Sequence, residues 1–358
     1  MQTVSTCEAT ANIAVVKYWG KRDEKLVLPT NSSLSFTMDE QLKTRTTVMF
    51  SEKFSHDEFW LNGAKADLKS GEFAERMVQL QLVREMAGIK TKAKAVSLNC
   101  FPTSAGFASS AAGFAALACA ASKAAGLSLD ARELSILARR GSGSACRSVL
   151  GGFVEWKKGD RADGNDSYAQ QIASHTHWTE LRNVIAVVEA GRKKISSRAG
   201  MKQTVATSGL FEARLKGLPQ TVEAMKKAVL AKDFPRFAEL AMRESSNMHA
   251  VMLDTWPPIA YLNDHSKEIM NSVMELNSGG AVAGYTFDAG PNAHIYALEK
   301  DVSKVRRKLG EIPGVKEVIV CKVGAGPKFL MDEKEHLVDS DGNVREHSFS
   351  KGKGIVIS

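Results

Sequence analysis

The stretch PTSAGFASSAAGFAAL at residues 102–117 constrains the fold more than any other part of the chain. It places Gly106 and a serine pair before a run rich in alanine that contains a second glycine, Gly113, and residues 109–125 hold nine alanines and no proline. Such a composition favours a helix. Because residues 93–99 show the pattern of a β-strand, the predicted order is strand, small-residue loop, helix.

The start of this helix is suited to a phosphate. The first backbone N–H groups of a helix have no intrahelical partner and carry a partial positive charge. Glycines and small side chains such as Ala108 allow a ligand to approach the backbone closely, and the hydroxyls of Ser109 and Ser110 could contact phosphate or Mg²⁺. The loop lacks the lysine of a Walker A motif. An ordinary glycine loop before a tightly packed helix fits the stretch equally well, and a phosphate site would need positive charge from elsewhere.

The remaining pattern predicts an α+β protein with two lobes. Predicted strands in the first half are 9–16, 34–38, 43–50, 57–61 and 93–99, and predicted helices are 71–87, 109–125 and 130–139, the last capped by Ser128 or Asp130. Later helices are predicted at 209–216, 219–231, 233–252, 265–278 and 301–309, with strands at 281–287 and 315–322. The expected lobes are a strand-rich N-terminal lobe, residues 1–190, and a helix-rich C-terminal lobe, residues 191–358, with a late antiparallel sheet.

Composition narrows the function classes. Hydrophobic residues make up 44% of the chain, and the longest apolar run is too short to span a bilayer. The N-terminus lacks the pattern of a signal peptide, and five scattered cysteines without a CxxC pair support neither a zinc ribbon nor a disulfide framework. These features predict a cytoplasmic protein without a membrane partner. The net charge of +8 fits either a mildly basic protein or one that handles small anions, and the dispersed basic residues argue against a nucleic-acid partner.

Four further segments combine basic, hydroxyl or carboxylate side chains with glycine. NIAVVKYWGKRD, at 12–23, offers Lys17 and Lys21 as anion ligands, unless it is a charged exposed turn. RRGSGSACRS, at 139–148, and KKISSRAGM, at 193–201, place serines beside arginine, which suits carboxylate or phosphate but also a flexible loop. In YTFDAGPNA, at 285–293, Asp288 is either a turn cap or a carboxylate held ionised as a base.

Two weaker signals complete the survey. CKVGAGPKF, at 321–329, is a second glycine loop after a strand, and it either supports the phosphate loop or forms an ordinary turn. His175 and His177 in SHTHW have no third ligand nearby in the sequence, so a surface loop is favoured over a metal site.

Taken together, these segments resemble one family. PTSAGFASSAA resembles the PxxxGLxSSA phosphate motif of the GHMP kinases, with Phe107 in place of leucine. NIAVVKYWGKRD, GSGSACRS, SSRAGM and YTFDAGPNA resemble, in the same order, the signature segments of the diphosphomevalonate decarboxylases within that superfamily. The resemblance implies a two-lobed GHMP-kinase-like fold with the active site in the cleft between the lobes.

The resemblance also implies a reaction. ATP phosphorylates the 3-hydroxyl of (R)-5-diphosphomevalonate, and loss of phosphate and CO₂ gives isopentenyl diphosphate and ADP, a step of the mevalonate pathway to isoprenoids and sterols. ATP and Mg²⁺ are the implied cofactors, and a homodimer is the implied assembly. A GHMP kinase that phosphorylates mevalonate or phosphomevalonate without decarboxylation and a non-catalytic descendant are the alternatives.

Individual roles follow from the resemblance, position by position. It implies that Asp288 is the base or orienter for the 3-hydroxyl, that Lys17 lies close to it, and that Arg147 holds the substrate carboxylate. The other implied substrate contacts are Tyr18, Lys21, Ser142, Ser144, Ser196 and Arg198, with Ser197 as an alternative to Ser196. The implied nucleotide contacts are Asn12, Ser97, Asn99, Gly106, Ala108, Ser109 and Ser110. Ser109 is also the expected contact to Mg²⁺.

Overall fold

The computed structural model describes residues 3–67, 73–101, 109–188, 195–350 and 354–357. The strands are β1 (Thr3–Thr10), β2 (Asn12–Val16), β3 (Lys21–Asp23), β4 (Leu28–Pro29), β5 (Ser33–Thr37), β6 (Lys43–Ser51), β7 (Glu58–Leu61), β8 (Ala64–Lys65), β9 (Lys92–Asn99), β10 (Phe153–Trp156), β11 (Ala169–Ala173), β12 (Leu181–Val188), β13 (Ala283–Phe287), β14 (Ala293–Leu298), β15 (Val315–Cys321), β16 (Lys328–Leu330), β17 (His347–Ser350) and β18 (Gly354–Ile357). The helices are α1 (Ala74–Ala87), α2 (Ser109–Ala124), α3 (Ala131–Gly141), α4 (Ala145–Ser148), α5 (Ser197–Thr207), α6 (Phe211–Ala231), α7 (Phe234–Leu253), α8 (Asp264–Leu276) and α9 (Val302–Gly310).

Two sheets form most of the N-terminal lobe. The first has the strand order β16-β1-β6-β9-β7-β8, and the second has the order β11-β10-β5-β2. Helix α2 packs on β1 and β6, and its buried alanines let the helix approach the sheet closely. The predicted strand and helix are present as β9 and α2, which starts at Ser109, and the predicted loop between them lies outside the described residues.

A third, antiparallel sheet, β13-β14-β12-β15, belongs to the C-terminal lobe. Helices α8 and α9 cover one face of it. Helices α6 and α7 fill the space between its other face and the second sheet, where Phe237 of α7 packs against Trp178 and Tyr296 with ring centroids 5.5 and 5.0 Å apart. The predicted two-lobed α+β fold with a late antiparallel sheet is confirmed.

The chain crosses between these layers. Strand β12 lies in the third sheet, and β16 returns to the first sheet, where Phe329 pairs with Cys7. The division of the lobes at residue 190 stays a prediction.

The predicted cap of α3 is present as a capping box, in which Asp130 accepts from the Glu133 N–H and Glu133 accepts from the Asp130 N–H.

The single strand expected at 9–16 is wrong. Strand β1 ends at Thr10 and pairs with β6, whereas β2 begins at Asn12 and pairs with β5 in another sheet. Ala11 lies between them, fully buried, and donates its N–H to the carbonyl of Leu42. The apolar run looks continuous in sequence because both strands are buried, so no change of pattern marks the crossing.

The break expected between the helices 209–216 and 219–231 is also wrong, since α6 runs from Phe211 to Ala231 as one helix that contains Pro219. A proline inside a helix removes one backbone hydrogen bond and costs about 3 kcal/mol. Leu218 and Val222 are buried on either side of it, and packing against α7 stabilises the continuous helix. The sequence pattern did not predict helix α4 or the strands β3, β4, β8, β10, β11, β12, β14, β16, β17 and β18.

Candidate active site

An ion pair joins two sheets at the centre of the predicted site. Lys17 follows the last residue of β2, and Asp288 follows the last residue of β13. The Lys17 Nζ lies 2.7 Å from the Asp288 Oδ1, with the lysine side chain 2% exposed and the aspartate side chain 47% exposed. The pair therefore has a buried cation and a carboxylate that a ligand can reach.

The charges around the pair keep this carboxylate ionised. Burial favours the neutral acid, but the Lys17 ammonium, with His294 and Arg147 further away, lowers the pKa of Asp288 below its ordinary value. Burial lowers the pKa of Lys17, and Asp288 opposes that change. An ionised carboxylate beside an ammonium can accept a hydrogen bond from a substrate hydroxyl.

Arg147, on α4, is 2% exposed and held from two sides. Its Nε donates to the Asn12 Oδ1 at 3.2 Å, and its Nη1 donates to the Ser33 Oγ at 2.7 Å. Asn12 in turn donates to the Ser148 Oγ at 2.7 Å. The structure thus places Asn12, predicted as a nucleotide contact, directly beside the predicted carboxylate-binding arginine.

Tyr18 and the two serines of the predicted substrate site meet at the junction of α3 and α4. The Tyr18 ring packs edge-on against Trp156, with centroids 4.7 Å apart. Its buried hydroxyl has no hydrogen-bond partner among the described residues, so it is free to donate to a ligand. The Ser142 and Ser144 hydroxyls lie 3.4 Å apart on either side of Gly143.

The cations predicted for the diphosphate are paired with carboxylates. The Lys21 Nζ lies 2.5 Å from the Glu24 Oε2, and Arg198 pairs with Glu75 of α1. Ser196 is the N-cap of α5, where its hydroxyl accepts from the Ala199 N–H at 3.2 Å, and Ser197 is the first residue of the helix. Both serines lie beside Arg198 at a helix start, so the choice between them stays open.

Apart from Asn12, the predicted nucleotide contacts that the structure describes lie along β9 and at the start of α2. The Ser97 hydroxyl is 2.8 Å from that of Thr46, and the Asn99 Oδ1 accepts from the Thr44 hydroxyl at 2.8 Å. Ser110 is exposed at the first turn of α2. Gly106, Ala108 and the side chain of Ser109 lie outside the described residues.

The second glycine loop packs against the N-terminal lobe. Gly324 donates its N–H to the Thr37 carbonyl at 2.8 Å and accepts from the Gly152 N–H at 2.9 Å. The His177 Nε2 lies 3.0 Å from the Val229 carbonyl oxygen. Within the described ranges, no three or more His, Cys, Asp or Glu side chains form a metal-binding group.

Sequence reasoning missed the groups behind the ion pair. The Glu244 Oε1 of α7 accepts from the Lys17 N–H at 2.8 Å, and Asn31 donates to the Lys17 carbonyl at 3.0 Å. Buried His249 and His294 flank Asp288, and burial lowers the pKa of each to about 4. The sequence carried a signal for Glu244 and His249. Both are polar residues at positions on the apolar face of α7.

Basic side chains around one ionised carboxylate, in a two-lobed α+β fold, define the class as GHMP-kinase-like. The diphosphomevalonate decarboxylase-like N-terminal domain matches residues 9–169, and the mevalonate 5-diphosphate decarboxylase C-terminal domain matches residues 183–313. The chain therefore belongs to the diphosphomevalonate decarboxylase family.

Individual relatives are similar in sequence or structure over nearly the whole chain. The diphosphomevalonate decarboxylase of Candida albicans is 48% identical over 349 residues, covering 89% of this chain and 96% of that protein. The mevalonate diphosphate decarboxylase structure from Staphylococcus aureus has a TM-score of 0.87 at 36% identity, covering 92% of this chain and 99% of that one. A structure of MDDEF in complex with MVAPP, AMPPCP and magnesium has a TM-score of 0.86 at 37% identity, covering 93% and 100%.

Proposed function

We propose that the chain converts (R)-5-diphosphomevalonate and ATP to isopentenyl diphosphate, CO₂, ADP and phosphate in the mevalonate pathway, which supplies isoprenoids and sterols. The observation that carries this proposal is the Lys17–Asp288 pair beside Arg147, inside the fold and family of the diphosphomevalonate decarboxylases. A tertiary hydroxyl is a poor leaving group, and its phosphate ester is a good one. The site is suited to this phosphorylation because it supplies a carboxylate for the hydroxyl of the substrate and cations for the anionic groups of the substrate and ATP.

The residues have distinct proposed roles. Asp288 accepts the hydrogen bond of the 3-hydroxyl, orients its oxygen toward the γ-phosphoryl group of ATP, and takes the hydroxyl proton as the new O–P bond forms and ADP leaves with the electron pair of the broken bond. Lys17 keeps Asp288 ionised and stabilises the negative charge of the transferring phosphoryl group. After transfer, the C3–O bond breaks and phosphate departs with its electron pair, and the C1–C2 bond pair forms the alkene as CO₂ leaves.

The remaining substrate contacts hold the ends of the molecule. Arg147 binds the carboxylate that is lost, since its guanidinium offers several donors in a fixed plane. Tyr18, Ser142, Ser144, Lys21, Ser196 and Arg198 bind the diphosphate and the chain next to it. Their hydroxyl and cationic groups are suited to an anion that carries several oxygens.

ATP and Mg²⁺ are the cofactors. The relative bound to MVAPP, AMPPCP and magnesium supports both. The described part of the chain has no cluster of metal-ligating side chains, and this fits Mg²⁺, which keeps waters and binds mainly through substrate phosphates. The proposed nucleotide contacts are Asn12, Ser97, Asn99, Gly106, Ala108, Ser109 and Ser110, with Ser109 also toward the metal. When bound, Mg²⁺ neutralises charge on the phosphates.

The cellular location, assembly and partners of the enzyme are a separate proposal. We propose a cytoplasmic homodimer that binds neither nucleic acid nor membrane, on the basis of composition and family. None of the helices that the structure describes is long and apolar enough to cross a bilayer. Size-exclusion chromatography with light scattering measures the assembly directly, and a monomeric mass would contradict the dimer.

The function is tested by following ADP and CO₂ together from ATP, Mg²⁺ and racemic 5-diphosphomevalonate. Equal release of both is expected, whereas ADP without CO₂ would indicate a kinase that stops at the phosphorylated intermediate. Asp288→Asn should abolish turnover and leave ATP binding intact, because it removes the charge and keeps the shape. Asp264→Asn, at the exposed start of α8, is the matched control and should turn over normally. Unchanged turnover in Asp288→Asn would exclude the proposed role.

A further inference from the structure

Two adjacent residues of helix α7 each bind one of the segments that carry the catalytic ion pair. The Glu244 Oε1 accepts from the backbone N–H of Lys17 at 2.8 Å. The Ser245 Oγ accepts from the backbone N–H of Phe287, the residue before Asp288, at 2.9 Å. One short stretch of helix thus contacts the main chain at both ends of the Lys17–Asp288 pair.

The arrangement matters because the pair spans two sheets. Lys17 extends from β2 in the second sheet, and Asp288 extends from β13 in the third. No β-ladder joins these two sheets among the strands that the structure describes. The 2.7 Å contact between the Lys17 Nζ and the Asp288 Oδ1 therefore depends on what lies between the sheets, and α7 packs against both β2 and β13.

The contact to Lys17 is held rigidly. Arg214 of α6 binds both oxygens of Glu244, with its Nη2 2.6 Å from Oε1 and its Nη1 3.0 Å from Oε2. The arginine and glutamate side chains are 0% and 3% exposed. A two-point contact in a buried site leaves the carboxylate little freedom. Removal of Arg214 or Glu244 alone would leave the other buried charge unpaired, so a test variant must change both residues.

The contact at Phe287 is equally enclosed. Ser245 is 1% exposed and Phe287 is fully buried. A buried backbone N–H that loses its acceptor destabilises the fold, so the hydrogen bond to the serine hydroxyl fixes the position of the end of β13. Gly284, earlier in β13, lies so close to α7 that a Cβ on it would be 2.7 Å from the Ala238 Cα. The helix and β13 are thus packed backbone to backbone just before Asp288.

We propose that Glu244 and Ser245 are positioning residues for the decarboxylase reaction, which hold Lys17 and Asp288 at the separation that phosphoryl transfer to the 3-hydroxyl requires. The inference rests on the proposed function for its kinetic consequences. Neither residue need touch the substrate. A displacement of reacting groups by about 1 Å can cost about 100-fold in rate, so a small shift of either strand end would be visible in kcat.

The sharper test is Ser245→Ala, which changes no charge. The titratable and charged groups close to Asp288 are Lys17, Arg147, His249 and His294, and all of them remain in this variant. Ser272→Ala is the matched control, because Ser272 is also buried on a helix that packs against β13. We expect Ser245→Ala to lower kcat about 10-fold to 100-fold while KM for both substrates changes less than about 3-fold.

Two further readouts separate positioning from a general loss of structure. Loosening of the ion pair weakens the effect of Lys17 on Asp288, so the acid limb of the kcat–pH profile should move to higher pH in Ser245→Ala. A crystal structure of the variant should show the Lys17 Nζ–Asp288 Oδ1 distance lengthened beyond hydrogen-bonding range. An unchanged distance, or kinetics equal to those of Ser272→Ala, would overturn the proposal.

Glu244 is tested with its partner neutralised. Glu244→Gln with Arg214→Met keeps an oxygen that can accept the Lys17 N–H, whereas Glu244→Leu with Arg214→Met does not. We expect the first double variant to retain kcat about 10-fold better than the second. Equal kcat in the two would overturn the assignment for Glu244. Lack of turnover by the wild type would instead refute the proposed function, and the crystallographic distance would still decide the inference.

Discussion

The cations that are proposed to bind the substrate diphosphate already have carboxylate partners in the structure. Lys21 and Arg198 pair with Glu24 and Glu75. One oxygen of Glu75 is buried without a hydrogen-bond partner among the described residues. A carboxylate held in this way competes with the anion that is proposed to bind there, so the acidic partners set part of the cost of substrate binding.

Glu75→Gln should therefore strengthen substrate binding. Removal of the negative charge leaves Arg198 available, and we expect KM for 5-diphosphomevalonate to fall by about 3-fold to 10-fold, or about 0.7–1.4 kcal/mol. Steady-state kinetics measure this with ATP saturating. Glu239→Gln, which removes an exposed partner of Arg236 on α7, is the control and should leave KM unchanged. A higher KM in Glu75→Gln would show that Glu75 assists binding.

At the scale of elements, the junction of α3 and α4 depends on one glycine. A Cβ on Gly143 would lie 2.8 Å from the Tyr18 ring and 2.9 Å from the Trp156 ring. The absence of a side chain there lets Tyr18 pack against Trp156 with Ser142 and Ser144 on either side. This segment, for which a flexible loop was the alternative in sequence, thus forms part of the wall of the proposed substrate site.

Gly143→Ala should displace Tyr18 and weaken substrate binding. We expect a KM for 5-diphosphomevalonate raised about 10-fold, with a loss of unfolding free energy of about 1–3 kcal/mol from overpacking. Kinetics and urea denaturation measure the two effects. Gly209→Ala serves as the control because a Cβ there meets no atom within 4 Å. A normal KM in Gly143→Ala would show that the ring position does not matter for binding.

At the scale of the whole molecule, buried neutral histidines couple stability to pH. His249 lies on α7 and His294 on β14, so both belong to the packed centre of the C-terminal lobe. Burial lowers the pKa of each to about 4. The unfolded chain titrates near 6.5, so between pH 4 and 6.5 it binds protons that the folded protein does not.

Stability should therefore fall as the pH drops from 6.5 toward 4, by about 1.4 kcal/mol per pH unit for each histidine. Above pH 6.5 this contribution is fully present and flat. Urea unfolding at pH 7.5, 6 and 5 measures the slope. His249→Gln should show a shallower slope, and His56→Gln, at an exposed position, should not. Equal stability at pH 7.5 and 5 would contradict the prediction.

Much of the local structure could be predicted from the chain. The alanine run of α2 and the Asp130 cap of α3 depend on residues close in sequence, and both are present. The crossing at Ala11 depends on strand partners 18 or more residues away, and the continuous helix through Pro219 depends on packing, so local pattern could not reveal them. The same applies to Glu244, since its partner Lys17 is 227 residues away.

The sequence by itself determined the family, because its motifs stand in one order along the chain, and it determined which side chains offer the right chemistry. Only the tertiary structure decided which of them meet. Lys17 and Asp288 are separated by 271 residues and lie on different sheets, and the main chain that carries them is held by α7. The physical reason is that a motif specifies the chemistry of a side chain, whereas a 2.7 Å contact between two sheets depends on the packing of everything between them.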